Sequence, residues 1–477
     1  MQRKTLGGLV VLLVITPSLL LSHIINVPQD QVTIQMGIDS AGVLDTVVVA
    51  PDTYHENIDF RGKCIVLTSN YMFTQNPQDI MGTVIDGSSP PVADSASTVR
   101  FWTGEDSFSV LTGFTITGGG GTKWIDPQYP SYTWRGGGGV FIYNSSPLIE
   151  NNIIIGNEVT NMTGVSGAQG GGMITFGGNP VIRNNLITEN QALYGAGVDI
   201  NYSGCLVKNN IIYENSGGQT YGGAGIWTIG NSSDSIIIEN NSIISNHSSG
   251  SGGYGGWGGG IFIWTSNLYL RNNIIWANTQ TTGGPIAMIN GGYAFASYND
   301  IEGGFAGTGN IDENPCFEDS GFILTDSSGC VDWGNPAGEF NDPEDNQNPG
   351  FAQYPAKGSL TNDIGAYGGP WSQSIPIFTS GIEEQNPVII YGENNLMEVI
   401  PRGNNYFLLK YSVFHRCPVK INIFRIDGCL ADRIFNQIQD GGSYQINIDL
   451  NNLCPGSYIL LMFTVYGKNS QKITILN

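Results

Sequence analysis

Between about residue 101 and residue 305 the apolar positions fall in short bursts, set apart by polar turns and glycine clusters, and the burst pattern recurs. Each recurrence holds a Gly cluster, a short β-branched strand, a polar turn, and a second short strand that ends in an Asn pair, usually followed by Ile-Ile and another Asn. Gly136 to Tyr143 running into Leu148 to Asn152 is one copy, and Gly258 to Trp264 running into Leu268 to Asn273 is another. The pairs are Asn151-Asn152, Asn184-Asn185, Asn209-Asn210, Asn240-Asn241 and Asn272-Asn273, with Asn299-Asp300 as a degenerate sixth, at intervals of 25 to 33 residues. Such variation fits one structural turn carrying insertions better than a helix-pair repeat of fixed length. Strands this short, joined by Asn, Ser and Gly stretches, are predicted to pair with the equivalent strand one repeat later instead of forming two-residue hairpins. The result is a parallel β-helix, in which each coil lies ~4.8 Å above the last and backbone groups bond to the coils above and below.

Period-two alternation within the strand after each Gly cluster assigns Val140, Met173, Val198, Ile226, Ile261 and Ile286 to the interior. The outward positions are then Phe141, Ile174, Asp199, Trp227, Phe262 and Ala287, followed two residues later by Tyr143, Phe176, Asn201, Ile229, Trp264 and Ile289. That face is more aromatic than a solvated face should be. Before the Asn pairs stand Glu150, Arg183, Lys208, Glu239 and Arg271, which would stack as an outer column of mixed sign. The column Asn151, Asn184, Asn209, Asn240, Asn272 and Asn299 is expected to be structural, with amides bonding along the axis and tolerating a left-handed bend between strands.

Composition narrows the possibilities. With 19 basic against 40 acidic side chains the formal charge is −21, which disfavours a nucleic-acid partner. Charged residues make up only 12% while Gly numbers 67, which excludes a coiled coil and a charge-driven disordered chain. Arg3 and Lys4 precede the apolar run Leu6 to Leu21, shorter than the ~20 residues that span a bilayer, so residues 1–22 are read as a secretory signal peptide. No other stretch is long enough to be a transmembrane segment. In an exported chain Cys316 and Cys330 are expected to close a short disulfide loop, and Cys205 to remain a buried thiol.

These features carry a resemblance. The coils with Asn-Asn-Ile, the stretch Asp45 to Pro51 with Tyr54 and Glu56 to Ile58, and the stretch Asn362 to Pro370 with Val331-Asp332 and Gly334 to Pro336 together resemble the secreted right-handed parallel β-helix repeat proteins, the superfamily that includes pectate lyases. The resemblance implies a first coil at Asp45 and a carboxyl-end closure at Asn362. After Gly381 the glycine clusters thin out, and alternating strands around Tyr406 to Ser412, Val419 to Arg425, Tyr444 to Leu450 and Tyr458 to Val465 predict a small β-sandwich. With Leu453 to Tyr458 and Lys472 to Leu476 it resembles the carboxyl-terminal sorting domain read by the type IX secretion system, although Cys417, Cys429 and Cys454 depart from that pattern. The expected organisation is all-β: a signal peptide over 1–22, a parallel β-helix with its caps over 23–375, and a β-sandwich over 376–477. The resemblance implies a protein secreted or held on the cell surface, with the secretion machinery as one partner.

Lyases of this fold use acidic clusters for Ca²⁺ with Arg or Lys as base, and its hydrolases use paired carboxylates on adjacent coils. The outward face offers one carboxylate, Asp199, and no cation, with Arg135 and Lys123 in the insertion before the first Gly cluster as the nearest bases. The loop Asp342, Glu344 and Asp345 is the one candidate for Ca²⁺, without the spacing of a dedicated calcium loop. The face itself is the better site. Phe141, Tyr143, Trp227, Phe262 and Trp264, with Asp199 and Asn201 as hydroxyl partners, are expected to form a groove for a polysaccharide or cell-surface glycan, unless the insertions Ser216 to Gly223 and His247 to Trp257 fold over it. The leading expectation is a non-catalytic, adhesin-like glycan binder, with a polysaccharide lyase or glycoside hydrolase as the alternative.

Overall fold

The coils of the first unit build three long parallel sheets, of ten, nine and eight strands, and eight successive coils give one strand to each. The computed structural model describes residues 23–477 apart from 220, 231–234, 251–252, 319–320, 373–375, 377–396, 404, 414–416, 426–429, 440–441, 452, 454, 465–466 and 476–477. The expected signal peptide therefore lies outside the described residues, as do Cys429 and Cys454. The chain divides into two units, Met1–Thr379 and Ser380–Asn477.

The eight-stranded sheet runs from Ile58–Asp59 through Val99–Phe101, Val140–Tyr143, Met173–Phe176, Val198–Asn201, Ile226–Ile229 and Ile261–Trp264 to Ile286–Ile289. Its register pairs Val140 with Met173, Met173 with Val198, Val198 with Ile226, Ile226 with Ile261 and Ile261 with Ile286, as the alternation predicts. The first five are fully buried and Ile286 is half-buried against them. The other two sheets close the core with stacked aliphatics, Ile149, Ile182, Val207, Ile238 and Leu270 from one and Ile154, Ile187, Ile212, Ile243 and Ile275 from the other. Burying such columns stabilises by about 1.5–3 kcal/mol per side chain, and each coil supplies only part of the surface its neighbour needs.

The amide column is displaced by one residue from its expected place. Hydrogen bonds run along the axis through the second Asn of each dyad, Asn152 Nδ2 to Asn185 Oδ1 (3.1 Å), then Asn185 to Asn210, Asn210 to Asn241, Asn241 to Asn273, Asn273 to Asn299 and Asn299 to Asn310. Of the expected residues only Asn299 belongs to this ladder. Asn151, Asn184, Asn209, Asn240 and Asn272 take the left-handed bend as expected, with φ between 51° and 56°, but among them only Asn272 Nδ2 bonds along the axis to another member of the column, Asn240 Oδ1 at 3.3 Å. The bend and the continuous ladder thus fall to neighbouring residues of each pair. A second ladder, Asn157, Asn190, Asn215, Asn246 and Asn278, turns the next corner. The mixed-sign column forms ion pairs as expected, Arg183 with Glu150 (2.6 Å) and both Lys208 (2.5 Å) and Arg271 (2.9 Å) with Glu239.

The first coil to supply all three sheets lies where implied, as Thr46–Val49, Asp52–Tyr54 and Ile58–Asp59, while the carboxyl-end segment departs from its implied place. Thr46–Val49 is the second strand of its sheet, paired with Ile24–Val27, and the helix Ile34–Ser40 packs over this first coil with Ile34 and Ile38 buried. The Glu56 carboxylate accepts hydrogen bonds from the helix-start amides of Ile34 (2.9 Å) and Gln35 (3.0 Å). The segment around Asn362 to Pro370 is a strap along the flank of the stack. Asn209 Nδ2 donates to the carbonyls of Ala366 (2.8 Å) and Gly368 (2.7 Å), Asn240 Nδ2 to the Asp363 carbonyl (3.1 Å), and the Asn335 amide to Asn272 Oδ1 (2.8 Å). Further along, Trp371 stacks on the Arg183 guanidinium at 4.2 Å.

The expected disulfide does not form, since Cys316 and Cys330 are both free thiols. The Ser328 hydroxyl accepts the Cys330 amide proton and the thiol turns inward, where Sγ donates to Asp300 Oδ2 at 3.2 Å, while Cys316 is exposed. Cys205 is buried in the core as expected, and burial pushes its thiol pKa up.

In the second unit, Met397–Gly403, Tyr406–Val413 and Gly442–Asp449 form one antiparallel sheet, and Leu430–Gln439, Cys417–Arg425, Gly456–Thr464 and Gly467–Ile475 another. Leu409, Val413 and Ile448 from the first share one core with Val419, Ile421, Leu460 and Met462 from the second, which is a sandwich packing. Among the described residues no helix is long and apolar enough to cross a membrane.

Candidate functional site

Two insertions decide what happens to the aromatic face. The strands Gly121–Ile125 and Thr133–Gly136 form an antiparallel hairpin, extended on one side by Ser95–Ala96 and on the other by Gly167–Gln169, and this small sheet stands over the eight-stranded sheet. Its Trp124 ring lies 4.8 Å from Phe176, and Trp134 meets Tyr194 edge-on at 6.0 Å. The glycine-rich segments form the second cover. A Cβ on Gly222 would meet the Phe262 ring at 2.8 Å, and one on Gly195, which has φ of 49°, would meet Asp199 Cβ at 2.9 Å and Trp227 Cβ at 3.0 Å. Only glycine lets backbone lie that close, so the Gly clusters are what allow these segments to seal the face.

The seven expected groove residues separate accordingly. Phe141, Asp199 and Phe262 are fully buried and Trp227 nearly so, which corrects the reading of an open groove along the whole face. Tyr143 is half-buried, stacked on Phe141 and Phe176. Asn201, Trp227 and Trp264 remain at the wall of a cavity of about 430 Å³. Phe176 and Ile229 complete its floor. One side comes from Trp124 and Trp134 of the hairpin with Tyr129 and Tyr132 at its tip, and the other from Tyr194 and Tyr221. The rings brace one another: Tyr221 lies 5.1 Å from Tyr194 and 5.3 Å from Trp264, and Trp227 stacks parallel to Phe262 at 6.5 Å. Sequence reasoning missed the hairpin and loop aromatics because insertions have no register in the coil. Their density in 124–134 was the available signal.

Unpaired polar atoms gather here. Trp124 Nε1, Trp134 Nε1, Trp227 Nε1 and Asn201 Oδ1 are buried and have no hydrogen-bond partner among the described residues. Each such group costs ~1–3 kcal/mol when left unsatisfied, and others occur elsewhere in the stack, as at Asn184 and Arg271. Asp199 lies deeper, beside the Asn201 side chain, and burial holds its pKa well above the usual carboxylate range.

The pairing of Asp199 with Arg135 does not occur. Arg135 is buried in the hairpin, where Nη1 donates to the carbonyls of Ala93 (2.9 Å) and Gly121 (3.1 Å) and Nη2 pairs with Asp94 (3.3 Å); Lys123 pairs with the same Asp94 at 2.9 Å. The acids considered for Ca²⁺ are each engaged by backbone amides, Asp342 by Asp363 and Gly369, Glu344 by Gly350, and Asp345 by Gln347. No group of three or more His, Cys, Asp or Glu side chains is arranged to hold a metal among the described residues.

No curated relative matches the chain. The family described as a right handed beta helix region matches residues 128–265, the coils that carry the aromatic cavity, and with the parallel sheets this makes the first unit a right-handed parallel β-helix.

Proposed function

We propose that this is a non-catalytic glycan-binding protein whose β-helix holds a sugar ring in the aromatic cavity between the hairpin and the Tyr194 and Tyr221 segments. The observation that carries the reading is a concave site of about 430 Å³ walled by Trp124, Trp134, Tyr194, Tyr221, Trp227 and Trp264. Flat rings match the apolar faces of a pyranose, and polar groups set among them match its hydroxyls. The proposal extends to location: the leader over residues 1–22 directs export, the carboxyl-terminal sandwich serves as the signal for the secretion machinery, and the rod is displayed at the cell surface.

Trp134 and Trp264 are only half-buried, so truncating them leaves the core intact. Retention of the protein in gels containing dissolved polysaccharides tests the reading. Trp134→Ala and Trp264→Ala are each expected to weaken retention by roughly tenfold, equivalent to ~1.4 kcal/mol of lost stacking. Unchanged retention in both variants, with thermal unfolding also unchanged, overturns it.

A further inference from the structure

The charge of the cavity wall restricts what kind of sugar it can take. Among the described residues that line it there is no Lys, Arg or His. The two nearest cations on the hairpin are both consumed: Lys123 and Arg135 pair with Asp94, and Arg135 is further held by two backbone carbonyls. The ionisable acid at the wall is Asp126. Its Oδ1 accepts the Gln128 amide at 2.8 Å and so fixes the side chain, while Oδ2 carries no hydrogen bond among the described residues. The rest of the wall presents the electron-rich faces of indole and phenol rings.

We propose that the cavity is selective for an ammonium-bearing sugar, a hexosamine with a free amino group, over neutral and acidic sugars. This rests on the glycan-binding reading and adds the class of ligand. An organic ammonium gains from ring quadrupoles in a partly desolvated site and from a carboxylate with a spare acceptor. A uronate or sulfate meets the same rings and the same acid with no cation to neutralise it, inside a chain whose net charge is −21. The site therefore selects against the acidic polysaccharides that the resemblance to pectate lyases brings to mind.

Tryptophan fluorescence titration of the full chain separates the possibilities, using the tetramer of β-1,4-linked glucosamine, its fully N-acetylated counterpart, the corresponding glucose tetramer and tetragalacturonate. The glucosamine tetramer is expected to bind about tenfold tighter than its acetylated form, with tetragalacturonate weakest. Asp126→Asn, which preserves an acceptor for the Gln128 amide, should bring the ratio between the two chitin-type tetramers close to one. Salt dependence of the unaltered protein reads the same charge contribution without a variant: affinity for glucosamine should fall from low to high salt and affinity for the acetylated form should not. Equal or tighter binding of the acetylated or glucose tetramer, independent of salt, overturns the charge selectivity and leaves the glycan reading standing. Absence of binding by all four overturns the inference, and gel retention then decides separately whether the glycan reading falls with it.

Discussion

Asn151 and Asn152 share a side chain, yet the backbone gives them different work. Asn151 sits at φ 55° with one long contact, Nδ2 to Thr112 Oγ1 at 3.5 Å. Asn152 is fully buried: Nδ2 donates to the carbonyls of Leu111 (3.0 Å) and Glu150 (2.8 Å) and to Asn185 Oδ1, and Oδ1 accepts the Phe114 amide (3.1 Å). Removing that amide strands several buried groups at ~1–3 kcal/mol each, whereas glycine tolerates the left-handed bend without a Cβ penalty. Urea unfolding should show Asn152→Ala destabilised by roughly 2–4 kcal/mol and Asn151→Gly within about 1 kcal/mol of the unaltered protein. Equal losses at the two sites would mean that the division of labour is wrong. The sequence pattern marks the dyad but not which member faces inward, because either assignment keeps the same period and the distinction lies in one φ angle.

At the scale of elements, the glycine clusters and the second Asn ladder explain each other. A Cβ on Gly172, Gly197 or Gly225 would lie 2.5 Å from the carbonyl oxygen of the equivalent glycine one coil on, at Gly197, Gly225 and Gly260, and 3.0–3.1 Å from the amide of Asn190, Asn215 or Asn246. Side-chain amides occupy the space that Cβ atoms would need, so successive coils can approach and bond through their backbones. Gly197→Ala is accordingly expected to cost about 3 kcal/mol or to prevent folding, by overpacking between coils that cannot separate. The same change at Gly104, where nothing lies within 4 Å of the added carbon and only its φ of 85° resists, should cost about 1 kcal/mol in the same unfolding assay. The strand register over Val140 to Ile289 was legible because burial on one side enforces strict alternation. The cavity was only half legible: Asn201, Trp227 and Trp264 lie on that register, while Trp124, Trp134, Tyr194 and Tyr221 stand on excursions whose path depends on tertiary contacts. The disulfide expectation failed for a related reason. Proximity in sequence says nothing about side-chain direction, and the Ser328 hydroxyl turns Cys330 toward Asp300.

At the scale of the whole first unit, the strap ties successive coils together through Asn209, Asn240 and Asn272, and the buried acids beside it are expected to make its anchorage depend on pH. Asp342 and Asp363 are buried together; the Asp363 amide donates to Asp342 Oδ2 (3.1 Å), and the Asp332 (2.8 Å) and Lys357 (2.7 Å) amides donate to Asp363. Burial raises both carboxyl pKa values, with the charge of Asp363 adding at Asp342 and that of Asp332 adding at Asp363. Burial also pushes Asp300, beside Cys330, up to about 6. An acid raised in the folded state binds its proton more tightly there than in the unfolded chain. Its penalty is absent below the unfolded pKa of ~3.9 and grows as pH climbs to the folded value. For Asp300 that rise is nearly complete just above pH 6, and the Asp342–Asp363 pair extends it upward. Thermal unfolding should therefore occur at progressively lower temperature as pH is raised from mildly acidic to mildly alkaline. Asp342→Asn removes one of the two mutually repelling acids while keeping an acceptor for the Gly369 amide, so it should flatten that slope. Limited proteolysis localises the effect: if ionisation loosens the strap from Asn209, Asn240 and Asn272, cleavage near Lys357 will rise with pH before the coils unfold, and Asp342→Asn will suppress it. Cleavage that does not vary with pH while the melting temperature falls would place the titrating groups in the coils themselves, with Asp199 and Asp300, whose pKa values burial also raises, as the acids to test.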